Sequence, residues 1–216
     1  MTYAVDNRPQ QAPEGNSQLP AAMGFLGIAM LISAAAAFLI GPMIPASAVL
    51  PISIAVVVLL LASVILRKIP GFSYILLVIV PAAIGVMLYP ILESYVDAGM
   101  GGVIVAAAVA TAIVFTTIAV IAWFTKKTLY RWAGLLFGIT LGIIAISLLN
   151  ALLLQLPVFS LVISCAVVVV FSFWSFIDIQ SIRDSRVKPV DGALNVFIDI
   201  VNLFLSILNI FSWLRP

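Results

Sequence analysis

Residues 193–211 read ALNVFIDIVNLFLSILNIF, and this stretch decides how the rest of the chain can fold. Its polar side chains follow one another at intervals of four, three, four and three residues. On an α-helix this spacing places them on one narrow stripe, with aliphatic and aromatic side chains over the remaining surface. The stripe consists of Asn195, Asp199, Asn202, Ser206 and Asn209. The sequence therefore predicts an apolar helix with one polar edge that includes a carboxyl group.

The apolar segment that precedes this stretch has a polar face of its own. Ser160, Ser164, Ser175 and Asp178 share that face, and the neighbouring residues are Val, Ile, Leu, Phe and Trp. An aspartate at the centre of a membrane helix costs about 2.5–3.5 kcal/mol on insertion scales. Hydrophobicity alone would not retain one such residue in each of two adjacent segments, so the pair requires an explanation.

The composition is that of an integral membrane protein. Hydrophobic residues make up 64% of the 216 residues and charged residues 8%, and the mean hydropathy is +1.30. A soluble domain has about 25% charged residues. The segments are apolar on all sides and do not alternate, which favours helices over a β-barrel. We expect an all-α polytopic protein with seven transmembrane helices, no nucleotide-binding domain and no nucleic-acid partner.

Proline, glycine and charged residues divide the chain into its expected spans. A helix of about 20 residues crosses a bilayer, and the segments of that length are 21–41, 46–66, 72–92, 103–124, 132–154, 158–179 and one that begins near residue 193. Residues 1–20 lack the basic and apolar regions of a signal peptide. We expect them to form a disordered cytoplasmic tail that precedes a single transmembrane domain over residues 21–216.

The basic residues predict how the chain is oriented. Alternate loops contain Arg67 and Lys68, then Lys126, Lys127 and Arg131, then Arg183, Arg186 and Lys188. The loops between them contain no Lys or Arg. Because basic loops stay in the cytoplasm, the N-terminus is expected inside and the C-terminus outside.

The fifth segment has glycines at intervals of four, Gly134, Gly138 and Gly142. Such a glycine face allows a second helix to approach closely. We expect it to pack inside the bundle and not to form a dimer contact.

Asp178 and Asp199 are expected to face one another. Asp178 lies five residues before Arg183, and Asp199 lies about as far into the next helix, which runs in the opposite direction. At a rise of 1.5 Å per residue both are roughly 7–9 Å inside their helix ends. Two carboxyl groups in contact cannot both ionise cheaply and titrate as a unit. The chain has no histidine, so this pair is the best candidate for a proton-sensitive element.

A cation is the ligand that such a pair would attract. Ca²⁺ takes six to eight oxygen ligands, and Asp178 and Asp199 with Asn195, Asn202 and water would give a loose, transient metal site. No resident cofactor is expected. The alternative is structural, since each aspartate could simply pair with a basic residue such as Arg67 or Arg183.

Several segments resemble the Bax inhibitor-1 family, also called the transmembrane Bax-inhibitor-motif proteins. Residues 176–182, FIDIQSI, and 193–205, ALNVFIDIVNLFL, resemble the paired C-terminal signature of that family. Residues 85–91, GVMLYPI, resemble its third-span motif, and ATAIVF at 110–115 with FTKK at 124–127 is similar to its fourth and fifth spans.

The resemblance implies a seven-helix bundle with the last helix near its centre, and a pH-sensitive calcium leak. It assigns Asp178 and Asp199 to a di-aspartyl sensor and Arg67 to the basic residue that closes the cytoplasmic side of the pore. The chain departs from the family where the second span lacks an acidic residue and where Asn209 replaces a common arginine. Only Leu-Arg-Pro follows Trp213, without the basic extension of eukaryotic members, so a bacterial cell membrane is expected.

These observations predict a passive cation pathway, with Ca²⁺ as the transported ion, gated by protonation of Asp178 and Asp199. Membrane lipid and calcium are the expected partners, and membrane-protein partners stay open. A non-conducting stress or cell-death regulator that binds other membrane proteins is the alternative. An enzyme is not expected, because no nucleotide-binding or Ser-His motif occurs. An intramembrane aspartyl protease is disfavoured because neither aspartate follows a glycine.

Overall fold

A computed structural model describes residues 15–215 of the chain. Every regular element in that range is helical, and the long helices are α1 (Gly15–Leu39), α2 (Val49–Leu66), α3 (Phe72–Asp97), α4 (Gly101–Phe124), α5 (Ala133–Leu149), α6 (Pro157–Arg183) and α7 (Pro189–Trp213). Short 3₁₀ turns occupy Gly41–Met43, Ala46–Ala48 and Tyr130–Trp132, and a π-helical turn covers Asn150–Leu154.

Apolar length identifies the helices that can cross a bilayer. Six of the described helices are long and apolar enough to do so, and α2 is a shorter apolar helix over Leu50–Leu66. The all-helical fold and the membrane class predicted from the composition are therefore confirmed for the described residues. The count of seven spans stays a prediction, because it depends on whether α2 also crosses.

Several helices extend beyond the apolar segments that predicted them. α1 begins at Gly15, five residues before Pro20, where the first span was expected to start. α3 continues through Pro81 and Pro90 to Asp97. A helix can contain proline when packing compensates for the lost backbone hydrogen bond. The disordered tail was expected over residues 1–20, of which 1–14 lie outside the described residues.

The last helix is the most buried of the six candidate spans. α7 packs against α6, α1, α4 and α3. Its apolar surface supplies side chains that are almost fully buried, among them Leu194, Phe197, Leu203 and Leu208. This central position agrees with the expectation drawn from the family resemblance, and it surrounds the polar stripe of α7 with protein.

α1 and α3 approach each other closely at a glycine. A Cβ atom added to Gly85 would lie 2.1 Å from the backbone oxygen of Ser33. Only glycine leaves enough room there, so this position sets how tightly α1 packs against α3.

The glycine face of α5 does not pack inside the bundle. A Cβ atom added at Gly134, Gly138 or Gly142 would meet nothing within 4 Å, and all three residues are exposed. The prediction of internal packing is therefore wrong. Glycine spacing predicts a smooth helix face, but it does not predict whether that face points into the bundle or away from it.

Candidate functional site

The α6–α7 hairpin brings the two polar faces together. α6 ends at Arg183, Ser185 turns the chain with φ 51°, and α7 begins with Pro189 at its first turn, where proline is well accommodated. Beside this turn, a Cβ atom added to Gly192 would lie 2.5 Å from Cγ1 of Ile182. The glycine thus lets the two helices approach closely near the site.

Asp178 and Asp199 meet in the interior of this hairpin. Asp178 is 7% exposed and Asp199 is 3% exposed, and their carboxyl groups lie within hydrogen-bonding range of each other. Ser175, which is fully buried, lies beside Asp199. Oγ of Ser175 and Oδ2 of Asp199 are buried atoms without a well-formed hydrogen bond among the described residues. The site therefore has unused capacity to bind a polar group.

Asn195 connects this pair to α2. Its Nδ2 donates to Oδ1 of Asp178 at 3.0 Å, and its Oδ1 accepts a hydrogen bond from Nη1 of Arg67. A direct pairing of Arg67 with one of the aspartates was an alternative that the sequence left open. Within residues 15–215 the hydrogen bond of its guanidinium goes instead to the amide that bridges to Asp178. The amide group presents an acceptor to one side and a donor to the other, which suits it to join a cation and an anion.

Arg67 lies in a buried environment with two acidic neighbours. Burial lowers the pKa of Arg67, and the negative charges of Asp191 and Asp178 oppose that effect. Arginine remains protonated in proteins, so its positive charge is permanent. Its Nε atom is buried without a hydrogen-bond partner in the described part of the chain.

Asp191 is a site residue that the sequence analysis missed. It lies in the first turn of α7, its charge acts on Arg67, and its buried Oδ1 has no partner in the described range. Asp191 precedes Asn195 by four residues, so it extends the same stripe by one step. The spacing of the stripe was a signal that could have revealed it.

The remaining stripe residues serve different parts of α7. Asn202 donates to the carbonyl of Ile198 in its own helix at 2.8 Å. Asn209 donates to Oγ of Ser164 at 2.8 Å and to the carbonyl of Ser160 at 3.3 Å, so it joins α7 to α6. Ser206 is buried in α7. Asn195 alone among the stripe asparagines bonds directly to the acidic pair.

A cavity of about 580 Å³ leads along α2 to the charged groups. It is bordered by α2, α5, α6 and α7, and its lining extends from Leu50 to Arg67. Seventeen residues of helix span roughly 25 Å, which is most of the apolar thickness of a bilayer. Asp178, Asn195, Asp199 and Asn202 line the same cavity, so it gives access to the carboxyl pair.

The last turns of α6 also hold the α4–α5 connection. Gln180 donates to the carbonyls of Thr125 and Lys127 at 3.2 and 2.9 Å and accepts from the amide of Leu129 at 3.4 Å. Arg183 donates to the carbonyls of Ala122, Trp123 and Thr125, each at 2.9 Å. Gln180 is two residues from Asp178, so this network fixes the end of the helix that carries the acid.

The site offers few ligands for a firmly bound metal. No group of three or more His, Cys, Asp or Glu side chains suited to a metal ion occurs among the described residues. Ca²⁺ takes six to eight oxygens, and the Asp178–Asp199 pair supplies two carboxyl groups.

Comparison with known proteins places this arrangement in a family. A sequence profile described as "Inhibitor of apoptosis-promoting Bax1" matches residues 16–215. An uncharacterized protein of Campylobacter jejuni is 39% identical over 128 residues, 58% of this chain and 55% of that protein. An uncharacterized protein of Helicobacter pylori is 34% identical over 143 residues, 65% of this chain and 61% of that protein.

A third relative has a name that states a function. The Escherichia coli protein named "Modulator of FtsH protease YccA" is 28% identical over 131 residues, which is 60% of this chain and 59% of that protein. The matched regions thus cover less than two thirds of the length of each of these relatives. The profile covers almost the whole described range, including α6 and α7 with their paired aspartates. The chain belongs to the Bax1 inhibitor family of membrane proteins.

Proposed function

We propose that this protein is a passive cation leak, with Ca²⁺ as the favoured ion, that is gated by protonation of Asp178 and Asp199. The observation that carries the proposal is the contact between two buried carboxyl groups at the end of a cavity that follows α2. Two carboxyl groups in contact share protons and attract cations.

In the ionised state the pair holds the pathway closed. The negative charge of Asp178 strengthens its hydrogen bond from Asn195, and Asn195 holds Arg67 at the end of α2. Asp191 also attracts Arg67. The charged and polar groups that face the pair are Arg67, Asp191, Asn195 and Ser175, and together they fix α2 against α7.

In the protonated state this connection weakens. A neutral Asp178 makes a weaker hydrogen bond with the Asn195 amide, and the attraction between Arg67 and the pair decreases. The end of α2 then separates from α7 and connects the cavity to the opposite side of the membrane. Cation flux therefore rises on acidification.

The topology that goes with this mechanism has seven spans and a cytoplasmic N-terminus. The basic loops support the orientation, which places Arg67 at the cytoplasmic end of α2. Arg67 and Asn195 then form the inner closure, and the cavity between α2 and α5 approaches it from the outer half of the membrane.

Calcium flux into proteoliposomes, measured from pH 5 to 8, tests the proposal. Asp178→Asn and Asp199→Asn should each remove most of the pH dependence. Asp97→Asn is the matched control, because Asp97 is an exposed acid at the end of α3, and it should leave the pH profile unchanged. Flux whose pH dependence survives both site substitutions would refute the gate.

A second function is favoured by one relative. YccA of Escherichia coli is named as a modulator of the FtsH protease, so a protein that regulates a membrane protease through direct contact is the alternative. It predicts no calcium flux at any pH. It also predicts co-purification of a membrane protease that persists in Asp178→Asn and Asp199→Asn.

A further inference from the structure

The cavity beside α2 is enclosed mainly by apolar side chains. Three helices supply its broad walls, through Leu60 of α2, Ile143 of α5 and Phe171 of α6. A small number of polar groups are concentrated where Arg67 and the two aspartates lie. An apolar cavity with a few convergent polar groups is the usual form of a small-molecule site.

The same cavity is open toward the lipid. α2 packs principally against α3, and it has no comparable contact with α5. Val64 of α2 and Phe137 of α5 line the cavity and are 50% and 40% exposed. If α2 and α5 both cross the bilayer, these exposed apolar side chains border lipid, and a membrane-dissolved molecule can enter between the two helices.

The inner end of the cavity has a carboxylate oxygen without a well-formed hydrogen bond among the described residues. Oδ2 of Asp199 is buried and without a hydrogen-bond partner among residues 15–215, and Asp199 itself lines the cavity. Ser175 Oγ, also without a well-formed hydrogen bond in that range, lies beside it. Arg67 lies among the other charged groups of this region, with Asp178 and Asp191 as its acidic neighbours. Because the two carboxyl groups of the Asp178–Asp199 pair repel each other when ionised, a cation beside Asp199 would relieve that repulsion.

We propose that the cavity is a binding site for hydrophobic amines, which enter from the bilayer and place a protonated amine against Asp199. The ammonium group donates to Oδ2 of Asp199 and to Oγ of Ser175, and the apolar body lies between α2, α5 and α6. The proposal extends the proposed function, because the amine occupies the carboxylate that the cation would visit and so blocks the leak.

The charged head distinguishes this occupant from a lipid chain. An acyl chain or a neutral alcohol would fill the apolar walls equally well, but it would leave the Asp199 carboxylate without a counter-charge. A hydrogen bond to an ionised partner is roughly twice as strong as a neutral one. An amine should therefore bind at least about tenfold more tightly than the alcohol of the same shape.

Trp174 provides a local measure of binding. It lines the cavity and donates from Nε1 to Oγ1 of Thr140 at 3.0 Å. The full chain, with Trp123, Trp132 and Trp213 replaced by Phe, is placed in lipid nanodiscs and titrated with 1-aminoadamantane and, separately, with 1-adamantanol. We expect saturable changes in Trp174 emission, with the amine binding at least about tenfold more tightly than the alcohol.

Substitutions assign the effect to the carboxylate. Asp199→Asn should weaken the amine about tenfold and leave the alcohol unchanged, whereas Asp97→Asn should change neither. Ser147→Phe, which fills the cavity, should weaken both. If Asp199→Asn does not fold, the wild-type protein is titrated with 1-adamantanecarboxylate, whose negative charge should make it bind less tightly than the alcohol, and an anion that binds as tightly as the amine would overturn the proposal. Equal affinities for amine and alcohol, or an Asp199→Asn protein with undiminished amine affinity, would overturn the proposal.

The binding measurement is independent of ion flux. If the protein binds the amine but shows no calcium flux, the proposed amine site is supported and the proposed leak is refuted. If the protein conducts calcium with the predicted pH dependence but binds amine and alcohol equally well, the proposed leak is supported and the proposed amine site is refuted.

Discussion

Asn195 donates a hydrogen bond from Nδ2 to Oδ1 of Asp178 at 3.0 Å. The two residues belong to adjacent helices, and the other end of the same amide group accepts from Arg67. One side chain therefore joins a permanent cation on α2 to a titrating acid on α6. Under the proposed function, this bridge makes the position of α2 depend on the charge of Asp178.

Asn195→Leu should uncouple α2 from the acidic pair. A hydrogen bond to a charged group contributes about 1.5–3 kcal/mol, so the closed state should lose about that much and resting calcium flux at pH 8 should rise roughly tenfold or more. Thr111→Val is the control, because the Thr111 hydroxyl is buried in α4, donates to the carbonyl of Ala107 in its own helix at 2.7 Å and does not line the cavity. Proteoliposome flux at fixed pH measures both, and an unchanged resting flux in Asn195→Leu would contradict the bridge.

Gly85→Ala should destabilise the contact between α1 and α3. The new Cβ atom would lie 2.1 Å from the Ser33 carbonyl, and such overpacking costs about 1–3 kcal/mol. Gly138→Ala makes the same change where a Cβ atom meets nothing within 4 Å, and alanine favours a helix by about 0.8–1.0 kcal/mol. The unfolding temperature in detergent should therefore fall for Gly85→Ala and stay the same or rise for Gly138→Ala.

Gln180→Leu should release the α4–α5 connection. The substitution removes the partner of the Thr125 and Lys127 carbonyls and of the Leu129 amide. The Thr125 carbonyl keeps its hydrogen bond from Arg183, so the Lys127 carbonyl and the Leu129 amide are the groups that lose a partner. An unpaired backbone group costs about 1–3 kcal/mol when it is fully buried. Because this loop is partly exposed, the free energy of unfolding should fall by roughly 1–2 kcal/mol. Hydrogen exchange at Leu129 should accelerate. Thr117→Val is the control, because it removes an exposed hydroxyl that bonds within its own helix. An equal fall in the free energy of unfolding for Thr117→Val would contradict the role of the Gln180 hydrogen bonds.

Asp184 predicts a dependence of stability on acid pH. Its hydrogen bond from Arg183, at 2.7 Å, holds the pKa of Asp184 below its usual value. A lowered folded-state pKa gives a stabilisation that is present above the unfolded pKa of about 3.9 and is lost as pH falls through the folded pKa. Thermal unfolding from pH 6 to pH 3 should show a smaller acid-induced loss for Asp184→Asn than for the wild type. An equal acid-induced loss of stability in Asp184→Asn and the wild type would refute the contribution of Asp184.

The helices could be predicted because each apolar segment has the length of a membrane span and ends at proline, glycine or charge. The pairing of Asp178 with Asp199 followed from a short loop and the helical rise. The path from Arg67 through Asn195 could not be predicted, since the rotation of α2 about its axis depends on its packing against α3. The same ambiguity applies to Gly138, whose outward direction depends on tertiary contacts and not on spacing.

Asp191 shows a different limit. It continues the stripe of α7, but a carboxylate in the first turn of a helix is also favoured by the helix dipole alone. Only the fold shows that Arg67, distant in sequence, lies within reach of its charge.

The packing of α2 has a mechanical consequence. Its contact with α3 is apolar and lies along the helix, including Val56 and Leu76 in one buried cluster, whereas it reaches α7 through the guanidinium of Arg67. In the proposed gate, α2 would act as a lever that pivots on α3 once that polar attachment is released. Because α7 packs mainly against α6, α1 and α4, a displacement at one end of α2 would leave most of the bundle in place.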